Sequence, residues 1–525
     1  MKCGLAAVSL LAMSSSVPAL AVSQTPSVLA EARPTEQSYA HFLPPLETVA
    51  LPSEQPVFDA MVAKVRTNER NPTQALAAMD EALAKLPSPT KLRGYIQFAR
   101  SHALEALHRD TEAVEAAEDS AELLPGYSAP LIRGFTLNAY LNRTGPATDY
   151  LMRAIDTDPV SAARIDDYEI DNLLRRLRGF HDEDRARTIS DRLLQIGWIG
   201  KHVDSRSNLA VDAIMLHLAN HDLAGAKALV PRLLAPADSR RLLIVNESAE
   251  LWPDIEAWAG PKLEREWPIY LAEAKARWSA GKTTVAARDY LTALRSAGDY
   301  QTAVREFLPL FDDPKANDAD LIFMVPSLAT ALAHLGRWAD ADALYDRAEQ
   351  TWPIDSNANA LNVSANHALL LMEEGHFEKA LALMDESLAQ ARRWGPSVGA
   401  TPFARMEHSR ACMLHELGRD GEARVSMAQA LELERGSTAA DLHVCMGDRA
   451  AAKQALLDAL GNEATRDDVI GFMQIPSEAP LDSPYTRKHQ RDSDALRADP
   501  EIRQAVSEYG RILPWRLNEA AAVTH

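Results

Sequence analysis

The sequence is short of cysteine. Three in 525 residues are too few for a disulfide scaffold. It is also short of positive charge. Lys and Arg number 55 against 74 Asp and Glu, for a net charge of −19. No global basic field exists to attract a polyphosphate or an anionic surface, which argues against wholesale binding to nucleic acid or anionic lipid. Beyond the N-terminus no apolar run resembles a transmembrane helix. No P-loop, G-x-G-x-x-G, H-E-x-x-H or C-x-x-C pattern occurs, so those nucleotide-binding, metalloprotease and dithiol motifs are absent. Hydrophobic residues reach 46% and charged residues 25%, so most of the chain can fold. The length suggests roughly three or four domains' worth of chain.

The first residues read as an export address. Lys2 supplies a positive start, and Cys3 to Met13 form a short apolar stretch. Pro18-Ala19-Leu20-Ala21 then offers a small-residue cleavage site after Ala21. Cys3 stands at the start of the apolar stretch instead of after it, so it is misplaced for a lipoprotein cysteine and leaves with residues 1–21. The expectation is a periplasmic or secreted chain that retains only Cys412 and Cys445. Residues 22–55 are rich in proline, with Pro26, Pro34, Pro44, Pro45 and Pro52. They read as a mostly disordered linker, because proline lacks a backbone donor.

From Pro56 the pattern is helical and it repeats. Residues 322–355 show an apolar stripe of Leu328, Ala329 and Leu332, then Gly336, then Trp338. Ala341, Tyr345 and Ala348 follow on a second helix, and Pro353 ends it. The skeleton recurs at 361–394 with Ala368, Leu371, Gly375, Phe377, Ala380 and Met384. It recurs at 404–437 with Ala411, Leu414, Gly418, Ala423 and Met427. Copies at 56–89, 94–127 and 128–161 share the alanines and the closing proline. Small residues late in one helix and early in the next let two backbones approach closely.

These residues resemble the tetratricopeptide repeat (TPR), a helix-turn-helix unit. The resemblance implies an all-α, right-handed TPR-like α-solenoid of about nine or ten helix pairs. An N-terminal array is expected over 56–238 and a second over 263–465, joined by an irregular connector at 239–262. The helix near 284–297 fits either of two registers. Residues 466–525 read as a loop and a capping helix. Within them, Tyr485 to Arg491 form a basic patch read as surface loop, and Ile502, Val506 and Tyr509 lie on the cap at 500–513.

The resemblance also implies an inner face that binds a protein or peptide partner, with no cofactor and no catalysis. Candidate positions on that face are Tyr95, Phe98 and His102 near one end, which read equally as aromatics tucked under the N-terminal linker, and Phe323, Thr330, His334, Asn362, Asn366 and Arg405 further on. His408, Cys412 and His415 follow. Some TPR domains hold a partner's C-terminus with a carboxylate clamp of Lys, Asn and Arg. Only Asn366 and Arg405 match such a clamp here, and Pro326, Thr330 and Ser409 depart from it. His408, Cys412 and His415 share one helix face at i, i+4 and i+7. Three readings stand open for this cluster: a polar lining with an incidental thiol, a soft-metal site joined by His443 and Cys445, or a Cys412–Cys445 disulfide. The last suits an oxidising compartment but needs Cα atoms within about 7 Å, closer than stacked helices usually come. The alternative to a scaffold is therefore a metal protein or enzyme centred on His408, Cys412 and His415.

Overall fold

The computed structural model describes residues 42–67, 71–86, 89–312, 319–355, 358–395 and 398–521. The export address and the first part of the linker lie outside them. No strand occurs among the described residues. An isolated antiparallel bridge joins Val245 and Gly510. The chain divides into two compact units, one ending at Lys201 and one beginning at His202.

The first unit is a run of helix hairpins. They are α1 (Gln55–Thr67) with α2 (Pro72–Lys85), α3 (Lys91–Ala106) with α4 (Asp110–Leu123), α5 (Ser128–Tyr140) with α6 (Thr144–Thr157), and α7 (Asp167–Gly179) with α8 (Glu183–Gln195). Alanines make the hairpins tight. Ala113 and Ala117 on α4 and Ala147 and Ala154 on α6 are fully buried. Gly94 on α3 goes further: a Cβ there would stand 2.8 Å from the Leu123 and Leu124 side chains. Burying each Leu or Ile between hairpins contributes about 1.5–3 kcal/mol, and Leu92, Ile96 and Leu104 are all inaccessible. The end of the proline-rich segment does not behave as a disordered linker. Val49 is buried beside Phe58, Met61 and Tyr95, and the Phe42 carbonyl accepts from the Ala129 amide at 3.0 Å. The apolar residues between those prolines supply the contacts that hold it.

The second unit begins with α9 (Ser205–Ala219) and α10 (Leu223–Leu229), then α11 (Pro236–Ile244) and α12 (Trp252–Ala259). Residues 239–262, expected as an irregular connector, thus hold helix and a 3-10 turn inside this unit. Pro236 and Pro253 sit in the first turns of α11 and α12, where proline starts a helix instead of ending one. Next come α13 (Glu266–Gly281), α14 (Thr284–Ala297) and α15 (Tyr300–Phe307). Helix α14 packs on both neighbours, so both registers read for it are used. The clearest repeats follow as α16 (Val325–His334) with α17 (Trp338–Thr351), α18 (Ala360–Glu373) with α19 (Phe377–Trp394), α20 (Ala400–Glu416) with α21 (Asp420–Leu431), and α22 (Gly436–Cys445) with α23 (Arg449–Leu460). Consecutive packed hairpins of this kind are a TPR-like α-solenoid architecture.

One turn recurs between paired helices. Gly336, Gly375, Gly418 and Gly447 hold it with φ of 71, 86, 71 and 72°. The amide three residues past each first helix closes back onto that helix, as in His376 N–H to Leu371 C=O at 2.8 Å and Arg419 N–H to Leu414 C=O at 2.8 Å. This is the Schellman closure, which requires a left-handed residue. His108, Asn142, His181 and His221 occupy the same turn elsewhere, with φ between 56 and 66°.

After α24 (Glu463–Phe472), helices α25 (Pro484–Arg497) and α26 (Pro500–Ser507) complete the described helices. Ile502 and Val506 are buried, and α26 caps α23 as expected. The cap stops at Ser507, short of the 500–513 expected. Beyond it the chain runs extended against α11 to α13. Tyr509 C=O accepts from the Asn246 amide at 2.8 Å, and the Arg511 amide donates to Ile244 C=O at 2.9 Å. The Trp267 indole donates to Leu517 C=O at 2.9 Å. A Cβ on Gly510 would meet the Ile244 carbonyl at 2.2 Å, so only glycine permits this approach.

Buried acids make the second unit pH-sensitive. Glu266 is 2% exposed, and its Oε1 accepts from the Ser239 hydroxyl at 2.8 Å. Burial pushes the Glu266 carboxyl up to about 8 and that of Asp238 up to about 7. Both groups bind protons in the folded state at pH values where the unfolded chain has released them. The stability these two groups contribute is full below the ordinary carboxylate pKa and is lost as pH rises from there towards about 8. Thermal melts should show this decline between pH 5 and pH 8. Glu266→Gln should flatten it and raise stability at pH 8 by on the order of 2–4 kcal/mol. An unchanged slope would contradict the assignment.

Candidate partner-binding site

The first helices α18, α20 and α22 lie side by side in the second unit. Their shared face brings together Arg405, His408 and Cys412 from the sequence-derived set. With Glu373, Glu434, Thr438, Asp441, Tyr485, Thr486 and His489 they line a cavity of about 320 Å³. His408 is central. Its Nδ1 lies 2.7 Å from the buried Glu434 carboxylate, and its Nε2 lies 3.5 Å from Asp441. Asp441 also meets His489 Nε2 at 3.2 Å, so one carboxylate is bracketed by two imidazoles. Burial works against the charged Asp441, but the bond from His489 and the charges of both histidines hold its carboxyl below the usual range. Burial likewise opposes a charged His489, and Asp441 overcomes it, leaving that imidazole above its ordinary value. Glu373 is shifted up by burial.

Cys412 is bonded to Cys445, with Cα atoms 5.5 Å apart. Of the readings open from sequence, the disulfide is the one the structure contains. The objection from helix spacing fails because Cys445 is the last residue of the short α22. The bridge reaches a helix end, where axes need not hold the distance that packed helix middles keep. His408, Cys412 and Cys445 place ligand atoms within 4.8 Å of one another, yet sulfurs joined in a disulfide offer no thiolate to a metal. His415 does not join them; its Nδ1 meets Asp420 at 2.9 Å.

The remaining positions do not converge. Tyr95 and Phe98 are buried, Tyr95 edge-on to Phe58 and Phe98 edge-on to His102. Burial, with the Arg133 charge nearby, drives the His102 imidazole down to about 3. This is a covered core beneath the N-terminal segment rather than an open aromatic patch. Thr330 bonds its own helix at Pro326 C=O. His334 stacks on Tyr300 at 4.1 Å and faces Glu478. Asn366 donates to the Asn362 carbonyl at 2.6 Å. Phe323 lies in the 3-10 turn Ala319–Met324.

Sequence reasoning missed Glu434 and Asp441, and placed Tyr485 to Arg491 in a loop. They form the first half of α25. Pro484 stands in its first turn and the Ser483 hydroxyl caps it by accepting from the Thr486 amide at 3.0 Å. The signal was present in the Ser-Pro pair, which opens helices as readily as it breaks them.

No family model matches the chain, and no curated protein matches it. Among solved structures, yeast Tom70 is similar at 15% identity, over 87% of this chain and 99% of that one, with a TM-score of 0.32. The P58(IPK) TPR domain is similar at 14% identity, over 77% and 99%, with a TM-score of 0.20. A chain of the Naa15/Naa10 complex bound to HypK-THB is similar at 12% identity, over 79% and 64%, with a TM-score of 0.26. At TM-scores this low the likeness says nothing about ligands or partners.

The bridge is testable. Peptide mapping without reductant should recover the Cys412 and Cys445 peptides joined. Reduction, or Cys412→Ser with Cys445→Ser, should lower stability by about 2–4 kcal/mol. Alkylation of both cysteines in unreduced protein would contradict it.

Proposed function

We propose that this protein is an exported, non-catalytic interaction scaffold of the cell envelope, holding a partner peptide or helix against the first-helix face of α18, α20 and α22. The observation that carries the reading is the chemistry of that face. Arg405 is exposed at the rim of the cavity, and carboxylates from each of the three helices (Glu373, Glu416 and Asp441) make polar contacts with another helix. Side chains that already grip one helix suit the recognition of a helix or extended segment. The disulfide braces α20 against α22 and fits an oxidising compartment. Among the described residues no helix is long and apolar enough to cross a membrane. Asn366 and Arg405 without the rest of a clamp do not favour C-terminal carboxylate capture.

The experiment has two parts. N-terminal sequencing of the mature chain should begin at Val22, whereas an intact Met1 would remove the export element of the proposal. In pull-downs from envelope extract, Glu416→Lys should capture at least tenfold less of a specific partner than wild type, with unchanged helicity by circular dichroism. Equal capture by both would place the binding face elsewhere.

A further inference from the structure

The segment 483–497 is not a repeat helix, yet it lies on the face that the repeats present. The two halves of α25 are held differently. The C-terminal half is anchored: Leu496 is buried, Arg497 donates to Phe472 C=O at 2.9 Å, and its guanidinium lies over the Phe472 ring. The N-terminal half is held by one aromatic ring and a set of polar contacts. Tyr485 sinks into the cluster shared by α18, α19 and α20, with its ring 5.9 Å from that of Phe377. Ser483 and Thr486 hydroxyls donate to Glu373. Lys488 pairs with Glu416 at 2.5 Å, and His489 with Asp441 at 3.2 Å. Arg487 and Arg491 stay exposed.

The face contributes Glu373, Glu416, Asp441 and Glu434 beside Arg405 and His408. The docked half-helix sets Lys488 and His489 against those carboxylates, while Arg487 pairs with Asp482 of its own segment. Partly exposed ion pairs of this kind contribute only about 0–1 kcal/mol each, so the hold on the N-terminal half rests chiefly on Tyr485. The cavity of about 320 Å³ beside Tyr485 and His489 shows that this half-helix does not fill the face.

We infer that the α18–α20–α22 face is a receptor for a cationic helix with a tyrosine anchor, and that the N-terminal half of α25 is its resident, displaceable occupant. The external ligand is a helical segment of a partner protein carrying Tyr followed at the third and fourth positions by Lys and His or Arg. The inference deepens the scaffold reading and rests on it. Such a segment would seat its tyrosine beside Phe377 and its cations on Glu416 and Asp441, while α25 swings out about its anchored C-terminal end. Occupancy by the protein's own helix keeps the acidic face closed to weak or incorrect cationic segments, because a competitor must overcome a ligand present at high effective concentration.

The test uses the full-length protein and a fluorescein-labelled synthetic peptide of residues 482–498. The variant Tyr485→Ala with His489→Ala empties the face without altering the repeats. It should bind the peptide at least tenfold more tightly than wild type. Adding Glu416→Lys should reverse the gain. Equal binding by wild type and the emptied variant, or indifference to Glu416→Lys, would overturn the inference. If circular dichroism shows the emptied variant unfolded, hydrogen exchange on wild type decides. Amides 486–492 should exchange faster than those of α20, and faster still with excess peptide. Exchange as slow as α20 and unaffected by peptide would overturn it. A partner captured by wild type and not competed by the peptide would also overturn it, while leaving the scaffold reading intact.

Discussion

Every hairpin in the clear repeats depends on one residue that turns left. A helix that ends with its chain reversing into an antiparallel partner must satisfy its last carbonyls within two residues. The Schellman closure does so, and it fixes φ near +70° at the turn. Gly375 and Gly418 adopt this at no steric cost. His181 and His221 adopt it against the preference of an L side chain. Once the turn is set, the alanines behind it meet their partners, and larger residues one turn along reach the next hairpin. The stacking of the repeats is therefore a consequence of local closure repeated, not of a single global core.

The second unit adds a different kind of contact to this repetition. Its last segment leaves the repeat pattern and returns across residues hundreds of positions earlier, tying Gly510 and Arg511 to Ile244 and Leu517 to Trp267. On the way it lays α25 across the first helices of three consecutive hairpins. The disulfide joins two of those helices, α20 and α22, at the same place. Bridge, bracketed Asp441 and docked Tyr485 thus fall in one neighbourhood, where a repetitive scaffold acquires an individual surface.

The hairpins were most legible where glycine held the turn, at Gly336, Gly375 and Gly418. They were least legible at 165–200 and 205–238, where His181 and His221 do the same work without the usual signature. Prolines misled in a consistent way. Pro253 and Pro484 fall in stretches read as an irregular connector and a loop, but each stands in a first turn, where its missing donor is not needed. The candidate site was half visible. Arg405, His408 and Cys412 share a face by periodicity alone. Glu434, Asp441 and Tyr485 reach them only through tertiary pairing, which no spacing within one helix encodes. Tyr95 and Phe98 do not form an open patch: Tyr95 packs in a cluster with Val49 and Leu43, and Phe98 is buried against His102.

The turn itself provides the sharpest measurement. A Cβ on Gly375 would meet nothing within 4 Å, so Gly375→Ala changes only backbone preference, and His221 is exposed, so His221→Gly removes no core contact. Thermal midpoints of these two variants should move in opposite directions, Gly375→Ala down and His221→Gly up, each by the equivalent of about 1 kcal/mol. Shifts of the same sign, or none in either, would contradict the claim that a left-handed residue at this turn sets the repeat.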